Sequence, residues 1–251
     1  VKLNGTDLVL LNKGQSYLFQ PTTTGALLES DKPVVANTGA YTDAPGGCGD
    51  GAVDQMAPIS ILGNRYIVVR GSGTAGTGTN LPEQSTIIAT ESGTTVKVDN
   101  YRPDGTFLNT TTFTLAAGAY RSIHHGDTNN RYSSSIIESD KPIAVYSGTA
   151  QSCEVDIATV LPVGGCSGSK RTSTSEFKGY LQQVLPYFGF VLVESSSEPV
   201  YVNGANIETT TGNNRFQLGT TGVYLIRFEN TQIGNPPNIT ITSAARMNVG
   251  V

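Results

Sequence analysis

An eleven-residue phrase, ESDKPVVANTG at Glu29–Gly39, returns as ESDKPIAVYSG at Glu138–Gly148, 109 positions later. Internal repetition of this kind means a repeated structural unit, so it constrains the fold more than any other feature of the chain. The echo extends well beyond the phrase. VKLNGTDLVLLNKGQSYLF from Val1, VKVDNYRPDGTFLNTTTFTLAAGAYRSI from Val96 and VYVNGANIETTTGNNRFQLGTTGVYLIRF from Val200 each open on an alternating strand and a turn. Each then reaches a Gly and an aromatic residue: Gly14 with Tyr17, Gly118 with Tyr120, Gly222 with Tyr224. These glycines recur every 104 residues, and Pro58 and Pro162 keep the same spacing. The third copy of the phrase is degraded to ITSAARMNVGV, Ile241–Val251. The chain therefore divides into two full units and a half, 1–95, 96–199 and 200–251.

Each unit reads as β-structure. TIIAT, TTVKV, RYIVV, KPIAVYSG and NITIT are short, rich in β-branched residues and bounded by Gly, Asn, Pro or Ser. YRPDGTF, Tyr101–Phe107, carries the Asp-Gly hairpin signal. SEFKGYLQQVLPYFG comes nearest to an apolar period of 3.6, and Pro186 limits it to one helical turn. Composition agrees: 14% of residues are charged, against about 25% in an ordinary globular domain, and 29 are Gly. The expected fold is all-β, built of tandem sandwich-like repeats with almost no helix. In SDKP the Asp can close an Asx turn while Pro fixes φ where the next strand begins, so the phrase is expected to be a strand–turn–strand joint. Its lysines, Lys32 and Lys141, carry no spacing that points to a ligand or a cross-link. The half unit at 200–251 has an edge to satisfy, either within the chain or against a neighbour.

The same composition removes several function classes. Net charge is −4 with no basic stripe, which argues against nucleic-acid binding. No apolar run approaches the roughly 20 residues of a membrane span. No signal peptide is visible, and Val1 reads as a processed start. The three cysteines form no CxxC. Cys153 and Cys166 enclose a short Gly-rich loop and are expected to form a disulfide, which would remove about 3 kcal/mol of unfolded-chain entropy. The alternative is three free thiols, and the sequence leaves the partner of Cys48 open. His124 and His125, with Asp127 nearby, read as a solvated loop after a strand. Asp43, Asp50 and Asp54 lie beside Cys48 in a Gly-rich stretch where a Ca²⁺ ion would suit an extracellular β protein, but their spacing fits no EF-hand or nonapeptide repeat. No metal site and no cofactor is assigned on that basis; Asp50 and Asp54 are the carboxylates to examine. GSGTAGTGTN, Gly71–Asn80, lacks the Lys-Ser/Thr ending of a phosphate loop. No Ser sits in a G-x-S-x-G elbow. Asn4, Asn109 and Asn238 open N-x-Thr triplets, which matter only in a glycosylating host.

The stretch GAYTDAPGGCGDGAVDQMAPISILGNRYIVVRGSG, followed by PEQSTIIATESGTTVKVDN, LAAGAYRSI and IIESDKPIAVYSGTA, resembles the IgGFc-binding-protein N-terminal-like repeat. The ordered blocks carry the resemblance: D-Q-x-x-P-x-S-x-x-G-x-x-Y-I, then I-x-A-T, then L-x-x-G, with LPVGGCSG similar to the family's Cys-containing loop. It covers nearly all of the chain. It implies a β-rich module of large secreted or surface proteins, among them those of gliding bacteria with type IX secretion and of animal mucus. It brings no catalytic residues. The expectation is an extracellular, cell-surface adhesion or structural module that is not an enzyme. Its partners would be neighbouring domains, other copies of itself, or a glycan or protein ligand. The alternative is a filament or surface-layer subunit that polymerises by β-strand exchange.

Overall fold

The structure, a computed structural model, describes residues 1–20, 24–44, 48–70, 83–102, 104–124, 134–151, 154–164, 167–175, 181–182 and 187–251. Short strands β1 (Lys2–Leu3), β2 (Thr6–Asp7) and β3 (Leu28–Glu29) make a small sheet. β4 (Asn37–Ala44) and β5 (Cys48–Gln55) form a hairpin. A seven-stranded sheet comes next: β6 (Gly63–Val69), β7 (Glu83–Ala89), β8 (Thr94–Tyr101), β9 (Phe107–Leu115), β10 (Tyr120–His124), β11 (Ser134–Gln151) and β12 (Glu154–Val160). A second contains β13 (Ser169–Ser175), β14 (Phe188–Val193), β15 (Val200–Val202), β16 (Ala205–Asn206), β17 (Phe216–Gln217), β18 (Tyr224–Glu229) and β19 (Asn238–Gly250). Every pairing is antiparallel. The α-helix among the described residues is α1, Ile207–Thr211. The fold is all-β.

The repeat is visible in the strand pairing. Order β9-β8-β11-β7-β10 with β6 on β11 becomes β16-β15-β19-β14-β18 with β13 on β19. The pair Lys97↔Glu138 has counterparts Lys2↔Glu29 and Tyr201↔Thr242. The pair Asn37↔Gln55 of the β4–β5 hairpin moves by 109 and 104 positions onto Tyr146↔Thr159 of β11 and β12. Strands 200–251 find their ladder partners in β13 and β14, inside the chain.

The phrase at Glu138–Gly148 is not interrupted by a turn. It lies within β11, which changes partners midway. Ser134–Glu138 pair with β6 on one side and β8 on the other, whereas Ile143–Thr149 pair with β7 and Val145–Gln151 with β12. Register against β6 slips between Glu138 and Ile143. A strand that passes from one sheet to another through such an irregularity builds the corner of a sandwich, and SDKP is that corner. Ser139 donates its hydroxyl locally to Lys141 O at 2.7 Å, while the Asp140 and Lys141 side chains bind groups across the corner. Asp140 Oδ1 accepts from Thr95 N at 2.8 Å, and Lys141 Nζ donates to Ser92 O at 2.5 Å. Thr90 Oγ1 donates to Pro142 O at 2.6 Å. Tyr66, fully buried, donates its hydroxyl to Ile143 O at 2.5 Å and accepts from Gly63 N at 3.0 Å. Burial pushes the Tyr66 hydroxyl pKa up. Only the first copy bends as expected, at Asp31 and Lys32 after β3.

Three apolar clusters hold the molecule. Tyr66, Val68, Ile87, Val96, Val98, Ile137, Ile143 and Val145 pack within the first seven-stranded sheet. Val191, Val193, Ile226, Phe228, Ile239, Ile241 and Met247 pack within the second. The third cluster lies between them: Ile67, Tyr101 and Ile136 meet Leu192, Leu218, Val223 and Leu225. This explains the unbroken apolar runs YIVV, II and VLV. Alternate residues of one strand feed two different cores, so a sheet buried on both faces loses the polar half of its alternation. Each fully buried Val, Ile or Leu contributes about 1.5–3 kcal/mol.

Candidate functional site

The junction between the two seven-stranded sheets carries an open groove of about 490 Å³. One wall comes from the β8–β9 hairpin. Asp104 Oδ1 accepts from Thr106 N at 2.9 Å, which holds the turn and its carboxyl below the usual range. Gly105, at φ 83°, packs directly on the Phe216 ring, where a Cβ would approach Cδ2 to 2.5 Å. This Gly thus answers both the left-handed backbone and the close approach.

The other wall is built from α1 and the loop after it. Asn206 caps α1, its side chain accepting from Glu208 N at 3.0 Å and Thr209 N at 3.2 Å. Gly212, at φ 72°, ends it in the left-handed conformation. Arg215 locks the loop. Its guanidinium grips the Glu208 carboxylate through Nε and Nη2 and donates to Ser195 O at 2.9 Å and Glu198 O at 3.0 Å. That pairing holds the Glu208 carboxyl below its ordinary range. Asn213 Nδ2 donates to Arg227 O at 2.8 Å, and the Arg227 guanidinium lies 5.6 Å from the Phe216 ring centroid. The lining thus combines two aromatic residues (Phe216 and Phe228), amides (Asn213, Asn214, Gln232), two guanidinium groups and two carboxylates, Asp104 and Glu229. Among the described residues it contains no Ser, Cys or His. These groups suit recognition of a polar surface.

The residues marked from sequence lie elsewhere. Cys153, Cys166, His125, Asp127, the Gly71–Asn80 loop and most of SEFKGYLQQVLPYFG fall outside the described residues. Cys48 and Asp50 are placed on β5 opposite Ala44 and Thr42, and Asp43 sits on β4 opposite Gly49. His124 ends β10, opposite Gln84. Asp54 is committed to backbone. Its Oδ2 accepts from Thr159 N at 2.5 Å and its Oδ1 from Gln55 N at 2.8 Å, which ties β5 to β12. The Thr159 amide is the main cause of its lowered pKa. Among the described residues no three His, Cys, Asp or Glu gather as a metal site would require. Lys32 is exposed. Asn4 Oδ1 accepts from Leu27 N at 2.8 Å in its turn. Sequence reasoning missed the groove because Asp104 stands 108 to 128 positions from the rest of its lining. The one available signal was Asp104-Gly105, read as a hairpin turn and nothing more.

The fold is thus all-β, with a groove where the β8–β9 hairpin meets the second seven-stranded sheet. The family model described as IgGFc binding protein matches residues 4–251, and the chain belongs to that family. No curated protein matches the sequence. Among the described residues no helix is long and apolar enough to cross a membrane.

Proposed function

We propose that the chain is an extracellular adhesion or structural module that holds a glycan or protein surface in the junction groove and performs no reaction on it. The observation that supports this is the groove itself, its Arg215 held by two backbone carbonyls and its lining made of amides, charges and two aromatic residues. Such a lining gives orientation through hydrogen bonds and contact area through the ring. Type IX secretion and the disulfide Cys153–Cys166 belong to the same reading. The family description names an immunoglobulin Fc, so an Fc fragment belongs in the test beside glycans.

The test is surface plasmon resonance of the chain against an Fc fragment and a glycan array, repeated with Asp104→Asn and Asn214→Ala. Both side chains lie outside the cores. Binding weakened at least tenfold at an unchanged melting temperature is the expected result. Ligands bound equally well by both variants would remove the groove from the account.

A second reading is self-association by strand pairing. It is favoured by the exposed Val34 and Val35 beside β4, whose ladder partner among the described residues is β5 alone.

A further inference from the structure

Most hydrogen-bond donors of the groove lining are already engaged inside the protein. Arg215 directs its guanidinium to the Glu208 carboxylate, Ser195 O and Glu198 O. Asn213 Nδ2 donates to Arg227 O at 2.8 Å and to Gln232 Oε1 at 3.3 Å. Gln232 Nε2 donates to Thr211 O at 3.4 Å, and its Oε1 accepts from Glu229 N at 2.8 Å. The Arg227 guanidinium is turned onto the Phe216 ring. Acceptors, by contrast, face outward. Asp104 is exposed, and its carboxylate takes one backbone amide, Thr106 N, through Oδ1. That amide is the main cause of its lowered pKa, so the group is ionised at neutral pH. Glu229 is exposed as well, and its side chain takes the Gln232 amide as cap of the turn Asn230–Ile233. A carboxylate only accepts, whereas the exposed Asn214 amide can donate or accept. Glu208 neutralises Arg215, so the described lining keeps two carboxylates against the guanidinium of Arg227.

We propose that the groove takes a cationic side chain, an arginine or lysine presented by a partner protein, with Asp104 and Glu229 as its acceptors. This names the ligand class for the groove proposed above and rests on that reading. Guanidinium and ammonium groups donate and do not accept, so they complement a lining whose own donors are engaged. A sugar hydroxyl both donates and accepts, and its acceptor half would find little besides Asn214 to bind. An acidic glycan would bring a further carboxylate against Asp104 and Glu229, a juxtaposition that opposes binding. The half-buried Phe216 offers apolar surface to the methylene stem that carries the charge.

The experiment is surface plasmon resonance of the full chain with three soluble probes: an oligoarginine peptide, an oligoglutamate peptide and a neutral malto-oligosaccharide. Each is run at low and at high salt on the parent, on the double variant Asp104→Asn, Glu229→Gln, and on Asp7→Asn, an exposed carboxylate of β2 outside the groove. Gln at 229 retains a side-chain oxygen for the turn cap, and equal melting temperatures are checked first. The expected result is oligoarginine binding that falls with salt and weakens at least about tenfold in the double variant, while Asp7→Asn changes it by less than about twofold. Equal losses in Asp7→Asn and the double variant would reduce the binding to the net charge of −4 and overturn the proposal. Malto-oligosaccharide or oligoglutamate bound by the parent and lost in the double variant would overturn the cationic class while leaving the groove reading standing. If no probe responds to Asp104 and Glu229 the proposal falls, and the groove reading falls with it only if the Fc fragment and the glycan array are equally indifferent to the groove variants.

Discussion

Glu138–Gly148 and Glu29–Gly39 are nearly the same peptide in two settings. The first is the corner of a sandwich, flanked by β7 and β12 and stitched through Asp140, Lys141 and the Pro142 and Ile143 carbonyls. The second bends after β3, leaves Lys32 in solvent and shows two valines on its surface. The difference teaches that the phrase does not encode its own burial. Asp-Lys-Pro is compatible with a bend and with an extended corner alike, since Pro fixes φ near a value both can use. What decides is whether Thr95, Ser92, Thr90 and Tyr66 stand opposite to engage it.

The sharpest way to break the comparison is to truncate the equivalent apolar residue in each copy. Ile143→Ala removes a fully buried side chain and should cost about 2–5 kcal/mol. Val34→Ala, on the surface, should stay within about 0.5 kcal/mol. Urea unfolding of both measures it, and equal losses would show that the first copy is buried after all. A smaller effect tests the stitching. Tyr66→Phe strands the buried Ile143 carbonyl and the Gly63 amide, and should lower stability by about 1–3 kcal/mol. A Tyr66→Phe protein as stable as the parent would mean that the corner does not need its hydroxyl.

How much of this could be read beforehand depends on the range of the interaction. The period, the β class and the turns at Asn4-Gly5 and Asp104-Gly105 follow from local chemistry that residues carry with them. The corner could not be read, because the groups that satisfy Asp140 and Lys141 lie about 45 to 50 positions away. The interface core was present in YIVV and VLV as lost alternation, but an apolar run does not say which of its faces meets which sheet. The groove was illegible for the same reason. Phe216 lines it where Gly105 packs on its ring from 111 positions earlier in the chain. Asp54 was marked as a carboxylate to examine, and its carboxylate answers the amide of Thr159, 105 positions on.

That carboxylate gives the smallest predicted effect. The folded-state pKa of Asp54 is depressed, so its contribution is present above the unfolded value and is lost as pH falls through the acid range. Asp54→Asn should therefore lower stability slightly at neutral pH and flatten the acid limb, so that its profile converges on the parent's as pH falls. Thermal melts from pH 3 to pH 7 decide it; parallel profiles would show that the link between β5 and β12 does not depend on the charge.

The length of β11 has a mechanical meaning. Its eighteen residues span roughly 60 Å, and four other strands hydrogen-bond to it along that length. A pull along this strand would have to shear several ladders together, where a hairpin can be opened one rung at a time. A surface protein built of such repeats would carry tension from one unit to the next through its sandwich corners, and would yield abruptly at a high force in place of lengthening gradually.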